Sequence, residues 1–564
     1  MSARSDRRYW ALWWLIVIIS LWLRTGFPIH GVGPSGYDDE LFIRQARFLG
    51  NLQWLGPYGD QTLAKGMFYP LFILVAFLLA IPLNIAEQAV YLAVSACAGV
   101  LVLRVTASRR LALALFALLA FNPIVWNPEM SRVIREGLYI SLSLGVVLLA
   151  VRLAFPGDAS RFWRAGGWGT ALGFVLGAFW LTREEGPWIL PAVATTILIS
   201  LLGIGRARSV APSIRAWLRT VGLPLVAAGA TFALSIAAVA TMNEARYGVF
   251  ITNEFKAAPF LRAYGAVSRI GQDHWWRFVV FPKDARARAY AVSPAARELG
   301  PVLDGPAGQA WARDGCVVKE AAACPEIPSD VFMWAFREAV ATAGHYGSAP
   351  EAMRFYDRLA RETNDACAAK RIPCGPARAT MMPVFHWRYL GDALRDALPI
   401  GQLMLTSAGS HVATASSIGP APGLAILADL AGSIDTAPQT GFVLSGWAAS
   451  PSGAPGLAIR SRTGAPLDIR TTQAPGQDAA DLAPGWSATS FTFRTNCQPG
   501  ACDLIVTSPG HADAAIPLDD TLKQGSVLDN ATLRVAFDYV AVRDARSRRP
   551  RGRPRSSRPV ELLS

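Results

Sequence analysis

The 564 residues combine 52% hydrophobic side chains with a formal net charge of +13, and neither feature is spread evenly. Long uncharged runs are confined to the first 242 positions, whereas the second half is polar and rich in glycine and proline. This division predicts a membrane module followed by a water-exposed one. Much of the positive charge lies in short loops between apolar runs and in an arginine-rich tail, so it indicates topology and argues against a nucleic-acid partner.

The N-terminus is short and basic, so the positive-inside rule predicts that it stays cytoplasmic and that the first apolar segment, residues 10–23, runs outward. No small-residue cleavage site follows this run, which predicts an uncleaved anchor. The first outer loop, residues 31–66, then carries three consecutive carboxylates: Asp38, Asp39 and Glu40.

Behind these acids, residues 41–55 are predicted to form an amphipathic helix that lies along the membrane surface. Leu41, Phe48, Leu52 and Leu55 would share its apolar side. One interpretation of the acids is therefore that they cap this helix, because carboxylates at a helix N-terminus satisfy free N–H groups and the helix dipole.

Basic clusters between the apolar segments predict the remaining topology. The apolar region 67–105 has a break at 82–88 that suggests two helices. Because the basic cluster that follows should be cytoplasmic, one helix of the pair must fail to span, or the two count as one bent element. The later predicted spans are residues 111–126, 138–153, 167–181, 188–202 and 221–242. The chain is thus predicted to be an α-helical polytopic membrane protein with about seven crossings, and residues 243–564 are predicted to be extracytoplasmic.

Six of the seven cysteines form three close pairs with no nearby histidine. Such spacing favours local disulfides over zinc ligation, and disulfides need an oxidising compartment. Metal ligation and free thiols are the alternatives. The predicted disulfide pairs are Cys316 with Cys324, Cys367 with Cys374, and Cys497 with Cys502.

The water-exposed half divides by texture. The module of residues 1–242 is followed by a mainly helical domain at 243–405, where amphipathic runs indicate packing faces. An Ala/Gly/Ser-rich linker is predicted at 406–437, and short strands separated by Gly/Pro turns predict a small β-sandwich-like domain at 438–540. Residues 541–564 are predicted to be a disordered basic tail.

Ionisable groups collect in three predicted outer loops, where they are expensive and by default face an internal cavity. Carboxylates that alternate with cations suit one chemistry: an acid takes a proton from an acceptor hydroxyl or amine, while Arg and Lys hold a phosphate that leaves. Pairing of Arg183 with Glu184, and of Arg135 with Glu136, as simple interfacial ion pairs is the rival interpretation. The candidate site residues are Asp38, Asp39, Lys65, Arg135, Glu136, Arg183 and Glu184.

An N-terminal span, an acidic element on a surface helix in the first outer loop, and a following lysine together resemble integral-membrane glycosyltransferases of the GT-C superfamily. That superfamily includes the protein O-mannosyltransferases and the lipid A aminoarabinose transferases. The element Arg183-Glu184-Glu185-Gly186 is also similar, and the resemblance covers residues 9–242. The chain departs from the pattern in having Lys65-Gly66-Met67 where Lys-Pro-Pro is common.

The resemblance implies an inverting transfer of a sugar from a polyprenyl-phosphate donor. By position, Asp38 or Asp39 would be the general base, with Asp38 favoured, and Lys65 would touch the donor phosphate. Glu136 or Glu129 would orient the acceptor. Arg183 would be a further contact to phosphate or sugar.

The implied acceptor is a cell-envelope glycan, lipid or protein, at the inner (plasma) membrane of a bacterium. Oxygen ligands from Asp38, Asp39 and Glu136 could hold a divalent metal, but no spacing demands one, and no cofactor is predicted. Two other function classes compete: a transporter or flippase for lipid-linked sugars, and a membrane-anchored glycan-binding protein without enzymatic activity. A transporter would be expected to show internal repeats, and none is visible.

Overall fold

The computed structural model forms two compact units, one within residues 1–408 and one within residues 436–564. The structure describes residues 3–27, 29, 38–126, 128–154, 162–184, 186–201, 222–276, 278–318, 326–382, 385, 387–406, 441–464, 467, 469–476, 486–519, 521–523, 526–529 and 532–543. The predicted linker, most of the basic tail and the start of the first outer loop lie outside these residues.

The first unit is mainly helical in its described part. Its N-terminal helices are α1 (Ala3–Thr25), α2 (Asp39–Gly50), α3 (Phe68–Leu78), α4 (Leu83–Thr106), α5 (Arg109–Ala120), α6 (Glu136–Ala154), α7 (Phe162–Thr182), α8 (Leu190–Leu201) and α9 (Leu223–Tyr247). They are followed by α10 (Ala258–Ser268), α11 (Lys283–Val292), α12 (Pro294–Glu298), α13 (Gly300–Leu303), α14 (Pro306–Val318), α15 (Ser329–Thr342), α16 (Ala349–Ala368) and α17 (Arg388–Thr406).

Four helical segments in the described residues are long and apolar enough to cross a membrane: 83–106, 109–126, 136–153 and 223–247. The segment 109–126 joins α5 to a 3-10 turn at Pro123–Trp126. Shorter apolar helices occupy 68–78 and 186–199. The helical character that the sequence predicts is therefore present, with four candidate spans among the described residues, while the figure of seven crossings stays a prediction.

The break in the apolar region 67–105 lies earlier than predicted. α3 ends at Leu78 and α4 begins at Leu83, directly after Pro82, which cannot continue a preceding helix. The 11 residues of α3 span about 16 Å, roughly half the hydrocarbon thickness of a bilayer, whereas the 24 residues of α4 span about 36 Å. The described chain between Lys65 and Arg104 thus offers one helix of full spanning length.

The amphipathic helix of the first outer loop is shorter than predicted. α2 ends at Gly50, and the next residues turn, with left-handed backbone at Leu52 and Trp54. Leu41 is buried as expected, but Leu52 is 85% exposed and does not share its face. A positive φ in a branched residue marks a true chain turn, so residues 51–67 form a separate loop rather than more helix.

The helices after α9 pack around their own core and also against the first outer loop. Phe332 and Phe336 of α15 and Phe355 and Tyr356 of α16 are buried together, which confirms the predicted packing faces. Leu41 and Ala64 from the N-terminal part belong to the same core. The first outer loop is therefore held between the membrane helices and the later helical region.

A buried ion pair of the later helical region holds the first outer loop in place. Arg337 pairs with Glu254, and both side chains are fully buried. Glu254 also accepts hydrogen bonds from the hydroxyls of Tyr58, at 2.6 Å, and Tyr346, at 2.9 Å, while Arg337 Nε donates to the carbonyl of Asp60 at 2.6 Å. Burial, followed by the charge of Glu254, raises the pKa of Tyr58, so its hydroxyl stays protonated and donates.

The second unit consists of antiparallel strands, as the texture of the sequence predicts. They are β1 (Gly441–Ser450), β2 (Gly456–Ser461), β3 (Ile469–Gly476), β4 (Ser487–Thr495), β5 (Cys502–Thr507), β6 (Ala514–Pro517), β7 (Val527–Asp529) and β8 (Arg534–Arg543). One sheet has the order β3-β4-β1-β8-β7 and the other β2-β5-β6. Phe442 and Leu504, from different sheets, share one core, which makes the unit a sandwich.

Two of the three predicted disulfides are present. Cys367 bonds Cys374 at the end of α16, and Cys497 bonds Cys502 at the start of β5. The third predicted pair, Cys316 with Cys324, falls outside what the structure describes. The two bridges agree with the oxidising compartment that the sequence predicts for this half of the chain.

Candidate functional site

The centre of the candidate site is an ion pair between Asp38 and Lys65. Asp38 occupies the N-cap position of α2, but its carboxylate makes no capping hydrogen bond and instead accepts from Lys65 Nζ. Lys65 is 6% exposed in its side chain, whereas Asp38 is 40% exposed. The pair therefore presents a reachable carboxylate in front of a buried ammonium group, and capping by the side chain of Asp38 is not observed.

Aromatic rings enclose the ammonium group of Lys65. Its Nζ lies 5.2 Å from the ring centroid of Phe42 and 5.3 Å from that of Trp334, which belongs to α15. The guanidinium carbon of Arg135 lies 5.5 Å from the same Phe42 ring. Cations over ring faces are attracted by the ring quadrupole, so Phe42 holds two cations near one another without neutralising either.

These surroundings change the acidity of Lys65. Burial lowers the pKa of its ammonium group, and the nearby positive charge of Arg135 lowers the pKa further. Asp38 acts in the opposite direction by favouring the charged form. The proton of Lys65 is therefore held less tightly than that of an ordinary lysine.

Asp39 is placed very differently from its neighbour. It is 2% exposed, and its carboxylate accepts a hydrogen bond from Arg132 at 2.6 Å and from the backbone N–H of Val133 at 3.2 Å. These contacts tie the start of α2 to the segment before α6. A buried and bonded carboxylate has little freedom to approach a substrate, so the structure distinguishes two acids that the sequence leaves equivalent.

The remaining acids and cations pair between loops. Arg135 Nη1 donates to both carboxylate oxygens of Glu184, at 2.9 and 2.8 Å, and to the carbonyl of Thr182 at 3.1 Å. Arg183 pairs with Glu136 and lies over the ring of Tyr139. Both pairs thus join the start of α6 to the end of α7.

Close backbone contacts keep the elements of the site in register. Gly66 packs so tightly against the carbonyl of Leu181 that a Cβ atom at this position would collide with it. This approach accounts for glycine after Lys65, where the related pattern has proline. Lys256 Nζ donates to the carbonyls of Trp180, at 2.8 Å, and Arg183, at 2.9 Å, so a cation lies at the C-terminal end of α7, where the helix dipole favours it.

The seven candidate site residues all take part in these ion pairs: Asp38, Asp39, Lys65, Arg135, Glu136, Arg183 and Glu184. The side chain of Glu129, the alternative acceptor-orienting acid, lies outside the described residues. Phe42, Trp334 and Lys256 belong to the site but were not predicted from the sequence. Phe42 and Trp334 look like ordinary packing residues there, because only the tertiary contact reveals the cations against their rings.

Together these residues form four carboxylate–cation pairs, which lie where α2 and α6 begin and α7 ends. Each cation keeps donor groups that could turn from a protein carboxylate to the oxygens of a phosphate, since Arg and Lys bind both. Among the four acids, Asp38 has the most exposed side chain. The arrangement can therefore hold an anionic leaving group on buried cations while one carboxylate remains reachable for an acceptor.

No protein-family model and no curated protein matches this chain. A comparison with solved structures finds similarity to ArnT from Cupriavidus metallidurans in the apo state. The match has 15% sequence identity and a TM-score of 0.31, and it covers 72% of this chain and 66% of that chain. A likeness this distant carries no conclusion about the fold or the activity of this chain.

Proposed function

We propose that the protein is a membrane glycosyltransferase that moves a sugar from a polyprenyl-phosphate donor to an extracytoplasmic acceptor with inversion. The observation that carries the proposal is the ion pair of half-exposed Asp38 with buried Lys65, which has the paired cation Arg135 beside it. A lipid-linked phosphate would reach the protein at the depth where these cations lie. The acceptor is a glycan, lipid or protein of the cell envelope.

In this proposal the donor phosphate competes with Asp38 for Lys65. When the phosphate oxygens take the hydrogen bond of Lys65 Nζ, the carboxylate of Asp38 is released and can accept a proton. The acceptor oxygen or nitrogen then attacks the anomeric carbon, its proton passes to Asp38, and the bond from that carbon to the phosphate oxygen breaks. The polyprenyl phosphate leaves with the electron pair, stabilised by Lys65 and the neighbouring guanidinium groups.

Asp39 has a different role here. Because it is buried and bonded to Arg132 and the backbone of Val133, we assign it to positioning the start of α2, next to Asp38. The pair of Glu136 with Arg183 lies at the opening between α6 and α7, where an acceptor could be oriented. Asp38 is therefore the proposed base.

A reconstitution experiment tests this function. The purified full chain is placed in liposomes together with a lipid extract of bacterial membranes that contains polyprenyl-phosphate sugars, and a cell-envelope fraction is added as acceptor. The proposal expects free polyprenyl phosphate to accumulate, as measured by mass spectrometry, only when both protein and acceptor are present. Transbilayer movement of the sugar lipid without release of polyprenyl phosphate would instead identify a transporter. If neither release nor movement occurred, the proposal of an enzyme would be refuted and glycan binding would be the remaining function.

The pH dependence of transfer should report Lys65. An ordinary lysine has a pKa of 10.5, and burial and Arg135 lower the pKa of Lys65 below that value. Lys65 therefore loses its charge at a lower pH than an ordinary lysine does. We expect activity to fall over that range, because a neutral amine no longer binds the phosphate strongly. Lys65→Arg, which stays charged to far higher pH, should shift this alkaline limb upward even if maximal activity drops.

The matched control is Lys283→Arg, a substitution at an exposed lysine in the first turn of α11, which should leave the pH profile unchanged. If Lys65→Arg retained the wild-type alkaline limb, the limb would belong to another group, and the role of Lys65 as a charged phosphate contact would be refuted.

A further inference from the structure

The last described helix of the first unit, α17, exposes an apolar face. Trp387, Leu390, Leu394, Leu398 and Leu405 follow one another at helical spacing, so they fall on one side of the helix. Their exposed fractions are 80%, 51%, 66%, 83% and 66%. A face this apolar and this exposed on a 19-residue helix needs an explanation, because single scattered leucines on a surface are ordinary but a stripe is not.

The position of α17 in the fold indicates what covers this face. α17 lies beside the 3-10 turn Pro123–Trp126, which ends the apolar segment 109–126. That turn is at the opposite end of the segment from Arg109, which lies over the ring of Tyr9 near the chain start. α17 therefore lies at the far end of this candidate span, the end from which the chain leads on to Arg132 and Arg135 of the candidate site.

The composition of α17 suits a helix that lies in the membrane plane. Its opposite side carries the exposed Asp396, about half a turn away from the leucines. α17 is not among the described segments that are long and apolar enough to cross. An aromatic pair stands at the start of the stripe, just before the first residue of α17: the rings of Phe385 and Trp387 are 5.4 Å apart, and such aromatic side chains are enriched at the headgroup level.

We propose that α17 is an interfacial helix that inserts its leucine face into the outer leaflet of the bilayer. The occupant of the apolar face is thus lipid: the boundary between headgroups and acyl chains. The acidic side of the helix faces water. In this arrangement the helical region that covers Lys65 is attached to the membrane at two places, through α9 at its start and through α17 at its end.

Spin labels on the full-length protein in lipid nanodiscs test this proposal. The nanodiscs contain phosphatidylethanolamine and phosphatidylglycerol, and the background is Cys97→Ser, checked to take up no label. Leu394→Cys reports the apolar face, and Asp396→Cys is the matched control on the opposite side of the same turn. Power-saturation electron paramagnetic resonance then compares collisions with oxygen, which partitions into lipid, and with a water-soluble nickel complex.

We expect the label at position 394 to be accessible to oxygen and shielded from nickel, at a depth of roughly 5–10 Å below the phosphates. The label at position 396 should show the reverse. Equal access of nickel to both labels would place the stripe in water and refute the proposal. A label at position 394 that is shielded from both reagents would show that protein covers the face, either a second copy or another part of this chain, and would refute it equally.

Discussion

Asp38→Asn is expected to lower sugar transfer by about 10²–10⁴-fold, the usual contribution of a general base. Asparagine keeps the size of the side chain and can still accept a hydrogen bond from Lys65, so the chain should fold and insert normally. What it loses is the ability to take the acceptor proton. The measurement is the rate of polyprenyl phosphate release by equal amounts of purified, membrane-inserted protein.

Two matched variants separate catalysis from folding. Glu40→Gln removes a carboxylate two residues away that is exposed, and it should leave transfer unchanged. Asp39→Asn should reduce the yield of folded protein, because it weakens the buried contact to Arg132, yet the folded fraction should keep far more activity than Asp38→Asn. Full activity in Asp38→Asn would eliminate Asp38 as the base. A complete loss of activity in Asp39→Asn alone would identify Asp39 as the base instead.

Arg337→Met is expected to destabilise the first unit by about 3–5 kcal/mol, because it leaves the carboxylate of Glu254 buried without its cation. Met approximates the length of the arginine stem, so packing changes little and charge changes most. Since Arg337 also donates to the carbonyl of Asp60, the loop that carries Lys65 should loosen, and transfer should fall with stability. Thermal unfolding of the purified protein, followed by size-exclusion chromatography, measures the effect.

An exposed pair provides the control for this substitution. Arg262 and Asp357 are paired at the surface, and Arg262→Met should cost less than about 1 kcal/mol because solvent screens such pairs. The double substitution Arg337→Met with Glu254→Gln should be more stable than Arg337→Met alone, since it removes the unpaired charge. If the single and double variants unfolded at the same temperature, the cost would come from lost packing rather than from the buried charge.

Local patterns in the sequence were sufficient for the features that depend on composition and spacing. The apolar runs predicted helices, the strand texture around Phe442 and Phe491 predicted the β-rich unit, and two cysteine pairs predicted their own bridges. Helix ends were less accurate. The sequence period continues through Leu52, but the chain turns at that residue, because the loop must come back to place Lys65 beside Asp38.

The sequence by itself determined which ionisable residues gather at the mouth of the helices, because the order of apolar and basic segments decides which helix ends lie together. Only the tertiary structure decided how they pair. Arg135 selects Glu184 rather than its neighbour Glu136, and Arg337 selects Glu254 across 83 positions. Such choices depend on the approach of separate helices, for which local periodicity carries no information. The same reason explains why Asp38 and Asp39, adjacent and chemically identical, are different in the fold: one is buried on an arginine, and the other faces the opening.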